Sequence, residues 1–275
     1  MKLAFLLYRN WAFSVVERLK EFDITTLIVP DNKWLERDML PLVDRYTIRK
    51  IAPTPSTLDH FKGVDADWFV LMGWSHMIDR KSVEKYKLIG MHPSKLPKYR
   101  GGTPLQNQII NGEKESAATI FDITDVVDGG AIYAQVPFSL DGEMSEILAR
   151  MTDATVQGLK ETLPYLGKRV PRKQDESQAT NSWRRLPSDS LLTVADFQTS
   201  TYAYNKIRML QSPYPNAFLS LDKVVRLTRA KPIDGASGDF FNALELFEMK
   251  SDTIKEGMNI VCNDGSLLRL LDVES

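Results

Sequence analysis

Residues 90–102, GMHPSKLPKYRGG, place one of the chain's three histidines among residues that shape a loop. The residues that follow this histidine include Pro93, Pro97, Gly101 and Gly102, which disfavour both a regular helix and a central strand here. Polar loops of defined shape often carry chemistry, and histidine exchanges protons near neutral pH. His92 is therefore a candidate for proton transfer. The alternative is a packed histidine whose ring is bonded to the backbone.

Asp128 is a second candidate, as a carboxylate partner for that histidine. It begins the sequence Asp128-Gly129-Gly130. Aspartate and glycine both form turns, so a purely structural turn is the alternative, and the local sequence favours the turn. The residue types by themselves leave the reaction open.

Further polar residues follow predicted strands. Arg9 and Asn10 lie after the first strand, where the N-terminus of a helix favours anions such as phosphate, although no glycine-rich cradle accompanies them. His76 ends the sequence GWSH and is either a second polar group of the same pocket or an exposed side chain. Three histidines without carboxylates at ligand-like spacing predict no metal site.

The segments that must position these residues alternate between strand and helix patterns. Strands are predicted over residues 2–7, 24–29, 46–51, 67–72, 88–91, 117–123 and 131–136, and helices over 11–22, 34–44, 104–110 and 143–166. This alternation predicts an α/β domain with a mainly parallel sheet. Ligands bind at the carboxyl ends of strands in such sheets, and residues 8–11, 73–76 and 92–102 lie at such ends.

The second half of the chain changes in character. Residues 167–189 are polar and charged, which predicts a linker. A helix near 193–210, apolar runs within 217–230 and 258–273, and a hairpin signal at Asn263-Asp264-Gly265 predict a small, mostly β domain. We therefore expect a catalytic domain over residues 1–180 and a C-terminal domain over 181–275.

Charge and cysteine content limit the compartment and the partners. The 35 basic and 36 acidic residues nearly cancel, which argues against a nucleic-acid partner. Cys262 is the only cysteine, as expected for a reducing, cytoplasmic compartment. The apolar run at residues 3–7 is too short for a signal peptide, and no segment has the length needed to span a membrane.

Two segments resemble the folate-dependent formyltransferase family: HPSKLPKYRGGTPLQNQIINGE (92–113) and ATIFDITDVVDGGAIYAQ (118–135). The family pattern is an H-x-S-x-L-P-x-x-R-G loop followed some 35 residues later by a D-x-G turn, and here the separation is 36. Residues 184–190 and 207–218 are similar to the linker and entry helix of two-domain members. The resemblance implies a Rossmann-like catalytic domain followed by a small OB-like domain.

The resemblance also implies a reaction, in which a primary amine attacks the formyl carbon of 10-formyltetrahydrofolate. Such a step needs a base for the amine and a donor for the oxyanion. His92 would be base or oxyanion donor, with Asp128 as its partner, and no metal takes part. Folate binding is expected from Met72, Gly73, Trp74, Asp125 and Val126. Substrate binding is expected from Arg9, Asn10, His76, Arg100 and Gly102.

The sequence departs from the family at one catalytic position. The usual motif is N-x-H, and Gly90 stands where the asparagine is expected. Glycine has no side-chain donor, so a backbone amide, a water or Asn107 would have to replace it, or turnover is slow.

Among relatives, the resemblance favours sugar N-formyltransferases that act on a nucleotide-linked amino sugar. The chain is short and nearly neutral, and GWSHMI (73–78) is similar to a loop of such enzymes. Folate and a nucleotide sugar are thus the expected partners, without nucleic acid or membrane, and a homodimer is expected because related sugar enzymes are often dimers. Methionyl-tRNA formyltransferase is one alternative. A noncatalytic folate- or nucleotide-binding module is the other.

Overall fold

The computed structural model describes residues 1–31, 40–52, 58–235 and 237–274. The chain divides into two compact units. The first unit comprises Met1–Pro104, Glu115–Ser139 and Leu148–Ser182, and the second comprises Leu105–Lys114, Leu140–Ile147 and Trp183–Ser275.

The described residues form fourteen strands and seven α-helices. The strands are β1 (Leu3–Leu7), β2 (Ile24–Pro30), β3 (Thr47–Ile51), β4 (Trp68–Met72), β5 (Leu88–Pro93), β6 (Arg100–Gly101), β7 (Glu115–Asp122), β8 (Ile132–Ser139), β9 (Asn181–Ser182), β10 (Ala217–Ser220), β11 (Val224–Ile233), β12 (Phe240–Asn242), β13 (Asn259–Val261) and β14 (Leu267–Glu274). The helices are α1 (Asn10–Glu17), α2 (Leu58–Phe61), α3 (Arg80–Lys85), α4 (Pro104–Ile110), α5 (Met144–Thr162), α6 (Ser200–Arg208) and α7 (Ala243–Glu248).

A seven-stranded sheet in the order β3-β2-β1-β4-β5-β7-β8 forms the centre of the first unit. The five strands from β3 to β5 are parallel, whereas β7 and β8 run antiparallel to their neighbours. Every residue of β1 and β4 is buried, as expected for parallel strands covered on both faces. Phe61 and Ile78 belong to the apolar cluster that packs on these strands. The predicted α/β class with a mainly parallel sheet is thus confirmed.

The largest local difference from the sequence prediction is at His92. The strand β5 continues through His92 to Pro93 in the middle of the sheet, so the predicted loop begins later than expected. Antiparallel pairing with β7 places His92 opposite Thr119, and Pro93 is the last paired residue. Proline lacks an N–H, which suits the end of a strand rather than its interior.

Helix ends also differ from prediction. The helix predicted over 11–22 ends at Glu17, and the one predicted over 143–166 ends at Thr162, where a 3₁₀ turn over Leu163–Tyr165 follows with a proline at its start. Most of the helix predicted over 34–44 lies outside the described residues, and Leu40–Leu42 form a 3₁₀ turn. The predicted helix over 104–110 is confirmed as α4.

The predicted linker is only partly a linker. Residues 172–182, which we call the strap, belong to the first unit. Ile132 and Arg172 exchange two backbone hydrogen bonds, of 2.7 and 2.8 Å. Further along, β9 pairs in parallel with β6. Polar composition alone therefore gave the wrong structure for this segment, because its order comes from contacts with residues distant in sequence.

The second unit contains a five-stranded sheet in the order β10-β11-β14-β13-β12. The hairpin predicted at residues 263–265 joins β13 to β14 and is closed by the amide of Cys262, which donates to the carbonyl of Ser266 over 2.8 Å. The helix predicted near 193–210 is divided into a 3₁₀ turn over Val194–Phe197 and α6. A mostly β second domain is confirmed. Among the described residues no helix combines the length and apolar character needed to cross a membrane.

Candidate active site

A cavity of about 140 Å³ lies in the first unit at the carboxyl ends of β4 and β5. This is the edge of a parallel sheet at which ligands bind. His92, Asp128, His76 and Thr124 are polar side chains of the cavity wall. The full lining is Leu71, Gly73, Trp74, His76, Met77, Ile78, Gly90, Met91, His92, Gly101, Phe121, Ile123, Thr124, Val126, Val127 and Asp128.

His92 lines this cavity although only 6% of the residue is exposed. Its Nε2 lies 2.7 Å from the carbonyl oxygen of Tyr99, and because a carbonyl oxygen can only accept, Nε2–H donates. Nδ1 lies 3.3 Å from Oδ2 of Asp128. The ring of Phe121 meets the imidazole edge to face, with 6.5 Å between the ring centroids. The bond from Nε2–H to Tyr99 therefore orients the ring, and Nδ1 faces the Asp128 carboxylate.

Asp128 reaches the imidazole from the turn between β7 and β8. Its φ of 48° lies in the left-handed region, which aspartate and asparagine enter more readily than most side chains. The Gly101 amide donates over 2.8 Å to Oδ2, the same oxygen that faces His92. A Cβ at Gly130 would lie 1.8 Å from the carbonyl oxygen of Asp122, so the turn requires glycine there. The structure thus brings together the two residues that lie 36 positions apart.

A histidine that contacts a carboxylate can accept a proton and return it. When both ring nitrogens carry protons, one N–H can donate to Asp128 and the other donates to the Tyr99 carbonyl. The surroundings therefore offer an acceptor for each N–H of an imidazolium. This arrangement suits proton transfer from a group held in the cavity.

Arg100 connects the strap to this site. Its guanidinium binds both carboxylate oxygens of Glu176, at 2.7 and 2.8 Å, and donates to Oε1 of Gln174 over 2.8 and 3.2 Å. The hydrogen bonding with Glu176 raises the pKa of Arg100 and lowers the pKa of the Glu176 carboxyl. Only 5% of Arg100 is exposed. The guanidinium of Arg100 therefore lies against the strap and outside the cavity lining, and its role in substrate binding stays a prediction.

Gln174 continues this network to the Asp128 turn. Its Nε2 donates to the carbonyl oxygens of Asp128 and Gly130, each over 2.7 Å. The amide thus bonds the backbone on both sides of Gly129. Sequence reasoning missed Gln174, since nothing in a polar segment marks which residue folds back. The one available signal was Arg100 itself, because a buried arginine requires acceptors that nearby sequence does not provide.

The strap also holds the segment around Tyr99, whose carbonyl oxygen accepts the hydrogen bond from His92. The amide of Tyr99 donates to the Thr180 hydroxyl over 2.9 Å, and the Ser182 hydroxyl donates to the carbonyl of Gly102 over 2.9 Å. Gly102, a predicted substrate contact, lies beside this hydroxyl and outside the cavity lining. Tyr99 has a left-handed backbone, with φ of 60°, that these bonds stabilise.

The structure places the predicted substrate contacts His76, Arg9 and Asn10 differently with respect to the cavity. His76 lines the cavity and contacts the rings of Tyr8 and Trp74, with centroids 5.9 and 5.2 Å apart. Arg9 lies at the start of α1, and its guanidinium covers the Tyr8 ring at 5.2 Å. Asn10 begins α1 and, like Arg9, is exposed and outside the cavity lining.

Of the residues predicted to bind folate, Gly73, Trp74 and Val126 line the cavity. Met72 is fully buried in β4, and Asp125 lies outside the lining. The cavity has an apolar rim, since Met77 and Val126 are more than half exposed and Val127 is nearly so. An apolar rim of this kind suits a flat aromatic ligand.

Gly90 also lines the cavity, and the space beside it is filled. A Cβ at Gly90 would lie 2.6 Å from Cδ1 of Ile123 and 3.3 Å from the Phe121 ring. Ile123 therefore occupies the place where a longer side chain at position 90 would begin. Asn107, considered as a replacement donor, lies outside the lining, and its amide donates to the Trp183 carbonyl over 2.9 Å.

No group of three or more histidine, cysteine, aspartate or glutamate side chains suited to a metal ion occurs in the described part of the chain.

Comparisons with known proteins identify the family. The family model described as "Formyl transferase" matches residues 12–163, which is more than half of the chain. Methionyl-tRNA formyltransferase of Citrifermentans bemidjiense is 26% identical over 253 residues, covering 88% of this chain and 74% of that protein.

Solved structures share the fold. HypX from Aquifex aeolicus in complex with tetrahydrofolic acid aligns with a TM-score of 0.69 at 18% identity, covering 98% of this chain and 43% of that one. A sugar N-formyltransferase from Shewanella sp. aligns with a TM-score of 0.61 at 16% identity, covering 80% and 92%. With the matched family model, the shared fold and the paired histidine and aspartate in view, the chain belongs to the formyl transferase family and is a folate-dependent formyltransferase.

Proposed function

We propose that the chain transfers the formyl group of 10-formyltetrahydrofolate to a primary amine, with His92 and Asp128 as the proton-transfer pair. The observation that carries this proposal is the 3.3 Å contact between Nδ1 and Oδ2 within the cavity. The apolar rim formed by Met77, Val126 and Val127 suits the flat ring of the folate. The folate supplies an activated formyl group, and the protein supplies position and proton transfer.

The pair acts on the proton that the amine loses. As the nitrogen bonds to the formyl carbon, it becomes more acidic, and its proton passes to the pair. Asp128 is the more exposed member, with 20% of its side chain accessible against 7% for His92, so we infer that the amine approaches from the Asp128 side. The pair then passes this proton to the folate nitrogen as the carbon–nitrogen bond of the donor breaks.

Methionyl-tRNA is the acceptor that we propose first. Sequence relatives named methionyl-tRNA formyltransferase support it, including one that aligns with 88% of this chain. The sequence alone favoured a nucleotide-linked amino sugar, and the relatives support that alternative less well than the tRNA acceptor. The near-equal numbers of basic and acidic residues are the feature that a tRNA substrate leaves unexplained.

A nucleotide-linked amino sugar is the second candidate. The formal net charge of −1 favours it, because a small anionic substrate needs few basic contacts. The shared fold of the Shewanella sugar N-formyltransferase is compatible with it.

The test is release of tetrahydrofolate from 10-formyltetrahydrofolate with charged initiator tRNA and with a panel of nucleotide-linked amino sugars. Binding to tRNA phosphates releases counterions, so rates with tRNA should fall steeply as salt rises, whereas rates with a sugar should change little. Turnover with tRNA supports the first proposal, and turnover with one sugar only supports the second. Tetrahydrofolate binding without turnover on any acceptor would contradict both and indicate a binding module.

A further inference from the structure

Gln174 lies outside the cavity lining and bonds the backbone of the turn that carries Asp128. Gln174 donates from one amide nitrogen to the carbonyl oxygens of Asp128 and Gly130, at 2.7 Å each. These carbonyls flank Gly129 in the turn that carries the carboxylate. The turn includes a non-glycine residue with φ of 48°, a conformation that needs support from its surroundings.

The other end of the Gln174 amide is also fixed. Its Oε1 accepts from Nε and Nη2 of Arg100, and the Glu176 carboxylate accepts from Nη1 and Nη2 of the same guanidinium. Since an amide that accepts with its oxygen must present its N–H₂ on the opposite side, Arg100 sets the direction in which Gln174 donates. Arg100 in turn lies next to Gly101, whose own amide donates to the Asp128 carboxylate.

We propose that Gln174 is a positioning residue for formyl transfer, which holds the Asp128 turn so that its carboxylate stays against His92. This inference rests on the proposed roles of His92 and Asp128. Gln174 does not contact the reacting atoms. Its effect is on the geometry of the pair, and a displacement of about 1 Å in such a pair can lower a rate on the order of 100-fold.

The test removes the N–H₂ donor of Gln174 and keeps the oxygen that accepts from Arg100. Gln174→Glu retains an oxygen for Arg100 and removes both bonds to the turn. Gln178→Glu is the matched control, because it adds the same charge to an exposed residue four positions along the strap. We measure kcat for formyl transfer, the Kd for tetrahydrofolate by tryptophan fluorescence, and the melting temperature.

The expected result is a fall in kcat on the order of 10- to 100-fold in Gln174→Glu, with the folate Kd unchanged, the melting temperature lowered only slightly by the two lost hydrogen bonds, and the control equal to wild type. An unchanged kcat would overturn the inference. Loss of folate binding or of thermal stability in parallel with kcat would overturn it too, because the role would then be general support of the fold. If Gln174→Glu does not fold, Gln174→Met, which is neutral and of similar length, is judged by the same criteria.

Failure of this inference can be distinguished from failure of the proposed function. If His92→Asn also leaves kcat unchanged, the proposed pair is wrong. If His92→Asn abolishes turnover while Gln174→Glu does not affect it, only the role of Gln174 is wrong.

Discussion

At the scale of single residues, His92 lies between two acceptors, the carboxylate of Asp128 and the carbonyl oxygen of Tyr99. Asp128→Asn keeps the shape of the side chain and the left-handed backbone, since asparagine also adopts φ near 48°. It replaces the carboxylate oxygen that faces Nδ1 of His92 with a group of an uncharged amide. We expect kcat to fall on the order of 10²- to 10⁴-fold, while the free energy of unfolding changes by about 1 kcal/mol or less. Steady-state kinetics and denaturant unfolding test this, and wild-type turnover would contradict it.

A second prediction concerns Gly90, because the Cδ1 methyl group of Ile123 lies close to the place where a Cβ at position 90 would be. Gly90→Ala places a Cβ 2.6 Å from Cδ1 of Ile123, and we expect this overpacking to destabilise the protein by about 1–3 kcal/mol. Ile123→Val removes that Cδ1. In the double variant the alanine should therefore cost much less than it does alone.

Urea unfolding of the four proteins in this cycle measures the coupling between positions 90 and 123. Additive effects of the two substitutions would show that Ile123 does not limit the space at Gly90. The sequence indicated that Gly90 lacks a side-chain donor. It could not indicate that Ile123 fills the space beside Gly90, because this depends on how β5 pairs with β7.

At the scale of elements, the pairing of β6 with β9 holds the strap beside the catalytic pair. A Cβ at Gly101 would lie 2.8 Å from the backbone oxygen of Ser182, and its φ is 96°. Gly101→Ala should therefore separate the two strands. Hydrogen exchange of the Arg100 amide, which donates to the Thr180 carbonyl over 2.8 Å, should become faster.

Gly112→Ala is the control for this substitution. Gly112 has a comparable φ of 78° but no atom within 4 Å of the added Cβ, so it tests backbone strain without a steric clash. Exchange at Arg100 that stays as slow in Gly101→Ala as in this control would show that the pairing tolerates a side chain.

The ion pair between Glu176 and Arg100 makes the stability of the strap depend on pH. The hydrogen bond from Arg100 lowers the folded-state pKa of Glu176 below the ordinary value of 4.5. The stabilisation is therefore fully present above pH 4.5 and is lost as pH falls through the lower folded-state value. The difference in melting temperature between wild type and Glu176→Gln should be constant from neutral pH to 4.5 and shrink below it. A difference that grows on acidification would contradict this assignment.

An element could be predicted from the sequence when it is stabilised by a pattern of consecutive residues rather than by contacts with distant ones. Apolar periodicity located β1, β2, β4 and α4, because burial of a strand or a helix face is written into consecutive residues. The strap has no such pattern. Its order comes from Arg100, Tyr99 and the Asp128 turn, which lie more than 40 positions away. The extension of β5 through His92 likewise required knowledge of its pairing with β7.

At the scale of the whole molecule, the family pattern predicted the reaction class, the folate and the two-unit architecture. It did not determine the acceptor, because one fold can serve different substrates. Net charge and chain length favoured a sugar, whereas the sequence relatives favour methionyl-tRNA. The roles of Arg9, Asn10 and His76 stay predictions that depend on this choice.

The central claim is that His92 and Asp128 carry out formyl transfer to an amine, and single-turnover release of tetrahydrofolate tests it most directly. Wild type, His92→Asn and Asp128→Asn are each mixed in excess with 10-formyltetrahydrofolate and the acceptor identified in the panel. We expect release by wild type and a loss of at least about 100-fold in both variants, with tetrahydrofolate affinity retained. Release at the wild-type rate by either variant would contradict it.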